Sequence, residues 1–422
     1  MRGNRILANA AMGGSGWGLA WGGMWGLGGG SIMSSLIIQP RSRLFHGHFW
    51  AYATDIKARQ GEPQPGDVVT LKDVRGKPIG SAIYNPKSQI SARLFSYRRQ
   101  DLDADFFLRR IQRALKLRVE SGVDARLARV VWSESDGLPG VIVDRYGDHL
   151  VLQTLTLAMD LRIDLIIEAL KEVYSPLSIV ERNEAPVRKA EGMELRKGAV
   201  FGEVPAPFEV KAGGMVFQVD VMEGQKTGLY LDQLDSYAEV AKLAKGRRVL
   251  DCFTNQGGFA QACALAGATS VRAVDVSATA IEAARKNGVA AGVREIDWVV
   301  ENAFDFLKQS EMRGDRYDLI VLDPPSFTKT KGSLKDAMRG YKEIHLRAMK
   351  MLEAGGMVVT FSCSHHVSTG DFHQVIVDAA VDARKVLRQV ATYGQRPDHP
   401  IIATLPETEY LRGYAFEVQA SW

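Results

Sequence analysis

The chain has 422 residues, 46% hydrophobic and 24% charged; this is ordinary soluble-globular composition and too long for one domain, so two or three are expected. A net charge of +4 permits an anionic partner without demanding one, so local clustering has to decide. Three cysteines argue against a disulfide framework and for a reducing, cytoplasmic compartment.

Residues 1–32 form a Gly/Trp/Ala-rich leader with neither helical nor strand period. Its Ala8-Asn9-Ala10 comes before any apolar run, where a signal-peptide cleavage site would follow one, and its glycines disfavour a spanning helix. The leader is expected to be disordered and dispensable, with Met33 opening the folded protein and no membrane association. Residues 33–104 are short β-type segments between turn signals, among them Asp67–Lys72, Ile79–Tyr84 and Ile90–Phe95, which predicts a small β-barrel. An amphipathic helix follows over Asp105–Ser121. Leu108, Ile111 and Leu115 share one face, while Arg109, Arg110, Arg113 and Lys116 occupy the others, either as a solvated surface or facing RNA. That helix opens an α+β middle domain, 105–210, with strands at Ala128–Ser133, Val141–Tyr146, Leu150–Thr156, Ser178–Arg182, Ala199–Val204 and Phe208–Lys211 and a helix at Leu161–Val173. From 211 to 422 strand and helix alternate. Strands at Val249–Phe253, Ser270–Asp275, Asp297–Glu301, Leu319–Asp323 and Gly356–Ser362 predict an α/β, doubly wound sheet with its ligand at the carboxyl ends of the strands.

Polar residues mark four successive strand ends: Asp251, Asp275, Asn302 and Asp323. Gly257-Gly258 after the first strand lets backbone approach a ligand, yet departs from the Gly-x-Gly-x-x-Gly of a pyrophosphate cradle. Asp275 stands where an acid takes ribose hydroxyls, and Asn302 where an amide meets an adenine edge. This order resembles a class I S-adenosylmethionine methyltransferase.

The resemblance extends from about His46 to the C-terminus. Gly47-His48-Phe49-Trp50, Asp136–Gly147 (DGLPGVIVDRYG), Gly224–Gln233 (GQKTGLYLDQ), Arg339–Glu343 (RGYKE), Phe361–Ser364 (FSCS), Pro397–Pro400 (PDHP) and Tyr410–Gly413 (YLRG) resemble, in order, the bacterial large-subunit ribosomal RNA cytosine-5 methyltransferases of the RlmI type. The resemblance implies a PUA-like RNA-binding barrel in which His48 and Trp50 contact RNA. It places Lys226 and Thr227 beside S-adenosylmethionine, together with Asp251, Gly257, Asp275, Asn302 and Asp323. Its implied partner is large-subunit ribosomal RNA, with a homodimer admitted as an assembly. Phe49 stands where that family usually has proline, and Asn255 where it has an aromatic or small residue, a departure that bears on contacts near the cofactor's amino-acid end.

Cytosine C5 is a poor nucleophile, and a thiolate adding to C6 turns the ring into an enamine that can take a methyl group. Cys363 follows the fifth strand and Asp323 ends the fourth, so both should open into one crevice, Cys363 as nucleophile and Asp323 at the base edge. Cys252 and Cys263 are expected to be packing residues. Adjacent His365-His366 gives no metal-ligand spacing, so no metal is expected. Lys329, Lys331 and Arg339, with Lys335 and Lys342, suit phosphate positioning beside that crevice. Two other readings stay open. An exocyclic-amine methyltransferase would use Asp323-Pro324-Pro325, although Ser326 replaces the aromatic residue such enzymes favour next. A non-catalytic RNA-binding protein would retain the fold alone.

Overall fold

The computed structural model describes residues 34–293, 295–327, 334–364 and 366–420; the leader expected at 1–32 lies outside them. Among the described residues no helix is long and apolar enough to cross a membrane.

Ser35–Ser96 builds a six-stranded sheet in the order Trp50–Ala51, Ala92–Ser96, Pro78–Tyr84, Val68–Lys72, Ser35–Ile38, Ile56–Gln60. Alternation sets its faces: in Val68–Lys72, Val69 and Leu71 are fully buried while their neighbours are half-exposed. A five-stranded sheet follows, in the order Arg196–Phe201, Ser178–Asn183, His149–Thr154, Val141–Tyr146, Leu127–Trp132, with helices Ala104–Glu120 and Ile163–Tyr174 packed on it and on each other. Asp103 caps the first helix by accepting from the Phe106 amide (2.7 Å). The helix expected at Leu161–Val173 runs over Ile163–Tyr174, and a separate short helix, Leu157–Asp160, precedes it.

Phe208–Ala212 is not a strand of the middle sheet. It pairs with Met215–Val219 in a separate hairpin spanning the boundary expected at 210, because Gly213 and Gly214 both hold positive φ (55° and 89°) and close a two-residue turn. Gln218 N donates to Asn287 Oδ1 (2.9 Å), which ties the hairpin to the helix Ala278–Ala290 of the C-terminal sheet.

That sheet has seven strands in the order Ile296–Val300, Ser270–Asp275, Arg248–Cys252, Tyr317–Leu322, Leu352–Ser362, Arg412–Gln419, Val386–Gly394. The first five run parallel, and Arg412–Gln419 is antiparallel to both of its neighbours. Leu319, Ile320, Val321 and Leu322 are all buried because helices cover both faces. Leu319 and Val321 pack with Phe259, while Ile320 and Leu322 pack with Ile344 and Ala348, each side chain contributing about 1.5–3 kcal/mol. Strand order reverses between Arg248–Cys252 and Tyr317–Leu322, so the crevice beyond their carboxyl ends is where a ligand fits.

Long-range polar contacts join the middle sheet to the C-terminal one. Arg118, fully buried, takes both carboxylate oxygens of Asp136 (2.6 and 2.8 Å) and the Asp398 carbonyl (2.8 Å). Asp398 Oδ2 accepts from Arg129 N (2.9 Å), and Arg396 donates to the Leu127 carbonyl (2.8 Å). The Pro397–Pro400 segment therefore latches the middle sheet to the C-terminal one.

Candidate active site

The strand ends open into a cleft of about 660 Å³. Asp275, Asn302, Asp323, Cys363 and Lys226 all line it, so five of the residues singled out from sequence meet in one place. Asp275 accepts from the amides of Asn255 and Ser277 (both 2.9 Å), one on each carboxylate oxygen, which fixes the carboxylate at the cleft wall. Asn302 caps the helix Ala303–Arg313 by accepting from Phe304 N (2.9 Å). Phe253, Phe304 and Phe327 form an aromatic wall, with ring centroids 5.6–6.4 Å apart.

Three of the six described non-glycine residues with positive φ, Lys226 (53°), Phe253 (65°) and Asn255 (48°), line this cleft. Such backbone is uncommon outside glycine and persists where surrounding structure enforces it, typically at ligand sites. Here Asn255 holds the backbone of the glycine loop to Asp275 and its side chain donates to Gln225 Oε1 (3.2 Å).

Charge is concentrated at the deep end. Lys226 Nζ pairs with Asp232 Oδ2 (2.8 Å) and lies 4.2 Å from the Tyr230 ring centroid; the Tyr410 hydroxyl also donates to Asp232 Oδ2 (2.6 Å). Burial alone would raise the Asp232 carboxyl, but the Lys226 ammonium, His399 and these hydrogen bonds hold it well below the carboxylate range. Gln233 Nε2 donates to Asp323 Oδ2 (3.0 Å), yet burial and the Asp232 charge push Asp323 up to about 7. Cys363 is half-buried, and burial with the charge of Asp323 pushes its thiol up to about 11, against the opposing effect of Lys226. Cys252 and Cys263 are buried in the core.

The backbone around Cys363 is held from behind. The Tyr341 hydroxyl, on the helix Leu334–Lys350, hydrogen-bonds both Ser362 Oγ (3.0 Å) and Ser364 Oγ (3.1 Å), and Ser364 Oγ meets Ser326 Oγ (3.0 Å). Ser362 and Ser364 are fully buried, whereas Cys363 between them reaches the cleft.

Other expected site residues lie elsewhere. Thr227 is buried; its hydroxyl donates to Asp144 Oδ2 (2.6 Å) and hydrogen-bonds the Tyr146 hydroxyl (2.8 Å), so it fastens the segment rather than facing the cleft. Asp251 is buried beneath the glycine loop, where its Oδ2 accepts from Thr254 Oγ1 (2.5 Å) and Ala260 N (3.0 Å). A Cβ on Gly257 would stand 2.7 Å from the Trp298 ring, so packing rather than ligand approach requires glycine there. His48 is buried, with Nε2 at 3.1 Å from Glu407 Oε2, and Trp50 Nε1 donates to Glu134 (2.8 Å); both join the barrel to later segments. Arg339 is exposed and pairs with Asp336, while Lys329, Lys331 and His365 lie outside the described residues. Among the described residues no cluster of His, Cys, Asp or Glu could hold a metal ion. Sequence reasoning did not single out Phe253, Tyr230, Asp232, Gln233 or Tyr341 individually, although most fall inside the motifs it used.

The cleft suits S-adenosylmethionine. Asp232 Oδ1 and Gln233 Oε1 are buried acceptors with no hydrogen bond among the described residues, and three carboxylates face one lysine, a setting for a cationic ligand. Asp275 would hold the ribose, the phenylalanines the adenine, and Lys226 the amino-acid carboxylate. Asp275→Ala should weaken cofactor binding roughly ten- to a hundredfold, since a charged acceptor contributes about 1.5–3 kcal/mol. Calorimetric titration of the full chain checks this, and unchanged affinity would move the ribose elsewhere.

Comparison with known proteins points to the same cofactor. A PUA-like domain is matched over residues 40–97 and an S-adenosylmethionine-dependent methyltransferase over 198–404. Ribosomal RNA large subunit methyltransferase I of Erwinia tasmaniensis is 38% identical over 383 residues, 89% of this chain and 96% of that protein. The protein of the same name from Escherichia coli K12 is 38% identical over 397 residues, 92% of this chain and all of that one. A Streptococcus mutans methyltransferase structure shares the fold at TM-score 0.77 and 20% identity, across 91% of this chain and all of that one. Another methyltransferase, solved with SAH, superposes at TM-score 0.78 and 20% identity over the same shares.

Proposed function

This chain belongs to the ribosomal RNA large subunit methyltransferase I family, and from that membership we propose that it methylates C5 of a cytosine in large-subunit ribosomal RNA through a covalent Cys363 adduct. The observation that carries the reading is that, of three cysteines, Cys363 alone opens into the cleft shared by Asp275, Asn302 and Asp323.

S-adenosylmethionine supplies an electrophilic methyl group on a cationic sulfur. Asp275, Asn302 and Lys226 would orient it against the aromatic wall. Cys363, once deprotonated, adds through Sγ to C6 of the cytosine. Electron density moves to C5 and charge develops at N3. Asp323, with its carboxyl at about 7, carries a proton in a large fraction of molecules at neutral pH and can donate it towards N3. A protonated Asp323 also removes the negative charge that opposes ionisation of Cys363. After C5 is methylated, loss of its proton and expulsion of the Cys363 thiolate restore the aromatic ring. Tyr341 keeps Ser362 and Ser364, and so the reach of Cys363, fixed through these steps. The reaction belongs to the cytoplasm, where the ribosomal substrate is.

Nucleoside mass spectrometry of an unmodified large-subunit ribosomal RNA transcript incubated with the chain and S-adenosylmethionine should show 5-methylcytidine. N4-methylcytidine instead would favour direct attack by an exocyclic amine held at Asp323-Pro324-Pro325. Absence of any methylated nucleoside would leave an RNA-binding protein without the activity.

A further inference from the structure

A second cavity, of about 850 Å³, lies where the barrel meets the helix Ala104–Glu120. Its barrel wall is the end of Ala92–Ser96 running on into Tyr97 and Arg98, and its helix wall carries Arg110, Arg113 and Lys116. The acids lining it are already matched. Glu134 receives Arg93 (2.7 Å) and Trp50 Nε1 (2.8 Å), Asp136 receives both arms of Arg118, and Glu120 pairs with Lys116 (3.6 Å). The ion pairs along the helix are Arg109–Asp105, Lys116–Glu120 and Arg118–Asp136, so Arg110 and Arg113 have none among the described residues. Among the described residues Arg110 donates to the neutral Phe95 carbonyl (3.1 Å) and lies 5.3 Å from the Phe106 ring centroid, and burial, then the nearby Arg113 and Arg109 charges, lower its hold on its proton. Arg98 and Arg113 are exposed.

Like charges gathered in a groove repel one another, and the arrangement becomes favourable when an anion enters. Beside them Tyr97 is 61% exposed, steadied edge-on by Phe49, which also lines the groove (centroids 6.3 Å, 75°). Guanidinium forks beside an exposed aromatic face match phosphates next to an unstacked base.

We propose that this groove is a second RNA-binding site, taking backbone phosphates on Arg98, Arg110 and Arg113 and a base on Tyr97. It rests on the ribosomal RNA reading above and names where that RNA is held outside the catalytic cleft. One segment connects the two: Ile402 borders the groove, and Tyr410 and Leu411 border the cleft. The eight residue steps from 402 to 410 span at most about 29 Å at ~3.6 Å each. The site differs from the His48/Trp50 surface, whose polar atoms are occupied inside the protein.

The test uses the full chain and an unmodified in vitro transcript of large-subunit ribosomal RNA, with dissociation constants measured across a salt series. Arg98→Glu/Arg113→Glu should raise Kd at least about tenfold and flatten the log–log salt slope by roughly 1.4–1.8, the share of two phosphates. Tyr97→Ala should raise Kd about 5- to 150-fold, the range for one stacked base, with the slope kept. Cofactor affinity and kcat at saturating RNA should stay at the wild-type level in all three substitutions. Wild-type RNA affinity and slope in these variants would overturn the groove while leaving the ribosomal RNA reading intact. A wild-type chain that binds the transcript without salt dependence would overturn both. Unchanged RNA binding with weakened binding to protein-bearing ribosomal particles would assign the groove to an acidic protein instead.

Discussion

Cys363→Ala is expected to abolish methyl transfer, lowering kcat by at least about a thousandfold, while S-adenosylmethionine and RNA affinities stay within about threefold. No other cysteine can substitute, because Cys252 and Cys263 are both fully buried. Cys252→Ala and Cys263→Ala should therefore keep turnover and lose some stability only. In the free protein, alkylation of Cys363 should be slow at neutral pH and accelerate about tenfold per pH unit, levelling near 11, because the thiolate reacts and the thiol is pushed up by burial and Asp323. Asp323→Asn should speed that alkylation at pH 8 by removing the adjacent charge, yet slow methylation by removing the proton donor. Near-normal turnover of Cys363→Ala would transfer the central role to Asp323 and the exocyclic-amine reading.

The second large effect is on stability. Asp144 is fully buried and takes Arg129 bidentately (Nε to Oδ1 and Nη2 to Oδ2, both 2.8 Å), with the Thr227 hydroxyl as third donor (2.6 Å). Arg129 in turn lies 4.8 Å from the Trp132 ring centroid and donates its backbone amide to Asp398, so the pair sits at the join of the middle and C-terminal sheets. Asp144→Ala leaves a buried guanidinium without its carboxylate and should cost about 3–5 kcal/mol, read as a lower denaturant midpoint. Burial would raise the Asp144 carboxyl, but Arg129 and the Thr227 hydrogen bond hold it below its ordinary value. Its stabilisation is accordingly present above the unfolded carboxylate value and is lost as pH falls through the lower folded value. A double Asp144→Ala/Arg129→Met variant should recover part of the loss. A cost under about 1 kcal/mol for the single variant would mean that the join is held by packing alone.

The C-terminal sheet was legible because its parallel strands are nearly continuous apolar runs, such as Leu319–Leu322, each ending in a polar residue. The alternation of these runs with helical stretches therefore pointed to the fold, and the polar residues after them to the cleft. Side-chain direction past a strand end was not legible. Asp275 ends its strand and faces the cleft, whereas Asp251 sits inside Arg248–Cys252, in register with Ala273, and turns under the loop. Thr227 follows Lys226 directly and points the other way, into Asp144. The internal partners of His48 and Trp50 were not legible for a different reason: Glu407 and Glu134 are 359 and 84 residues away, beyond any local pattern. Tyr341 is silent in the sequence for the same cause, since its role depends on a helix crossing behind Ser362 and Ser364. The two-residue strand Trp50–Ala51 is too short to leave a period, and the Phe208–Val219 hairpin pairs with itself rather than with the sheet before it.

The most direct test of the covalent reading is trapping on large-subunit ribosomal RNA transcribed with 5-fluorocytidine. Fluorine at C5 cannot leave as a proton, so the adduct should stall after methyl transfer with Sγ still bonded to C6. A complex that survives denaturing electrophoresis, requires S-adenosylmethionine, and maps to the peptide containing Phe361–Ser364 is the result predicted here. Full turnover on the fluorinated RNA with no trapped species, or a crosslink lying outside that peptide, would contradict Cys363 as the nucleophile.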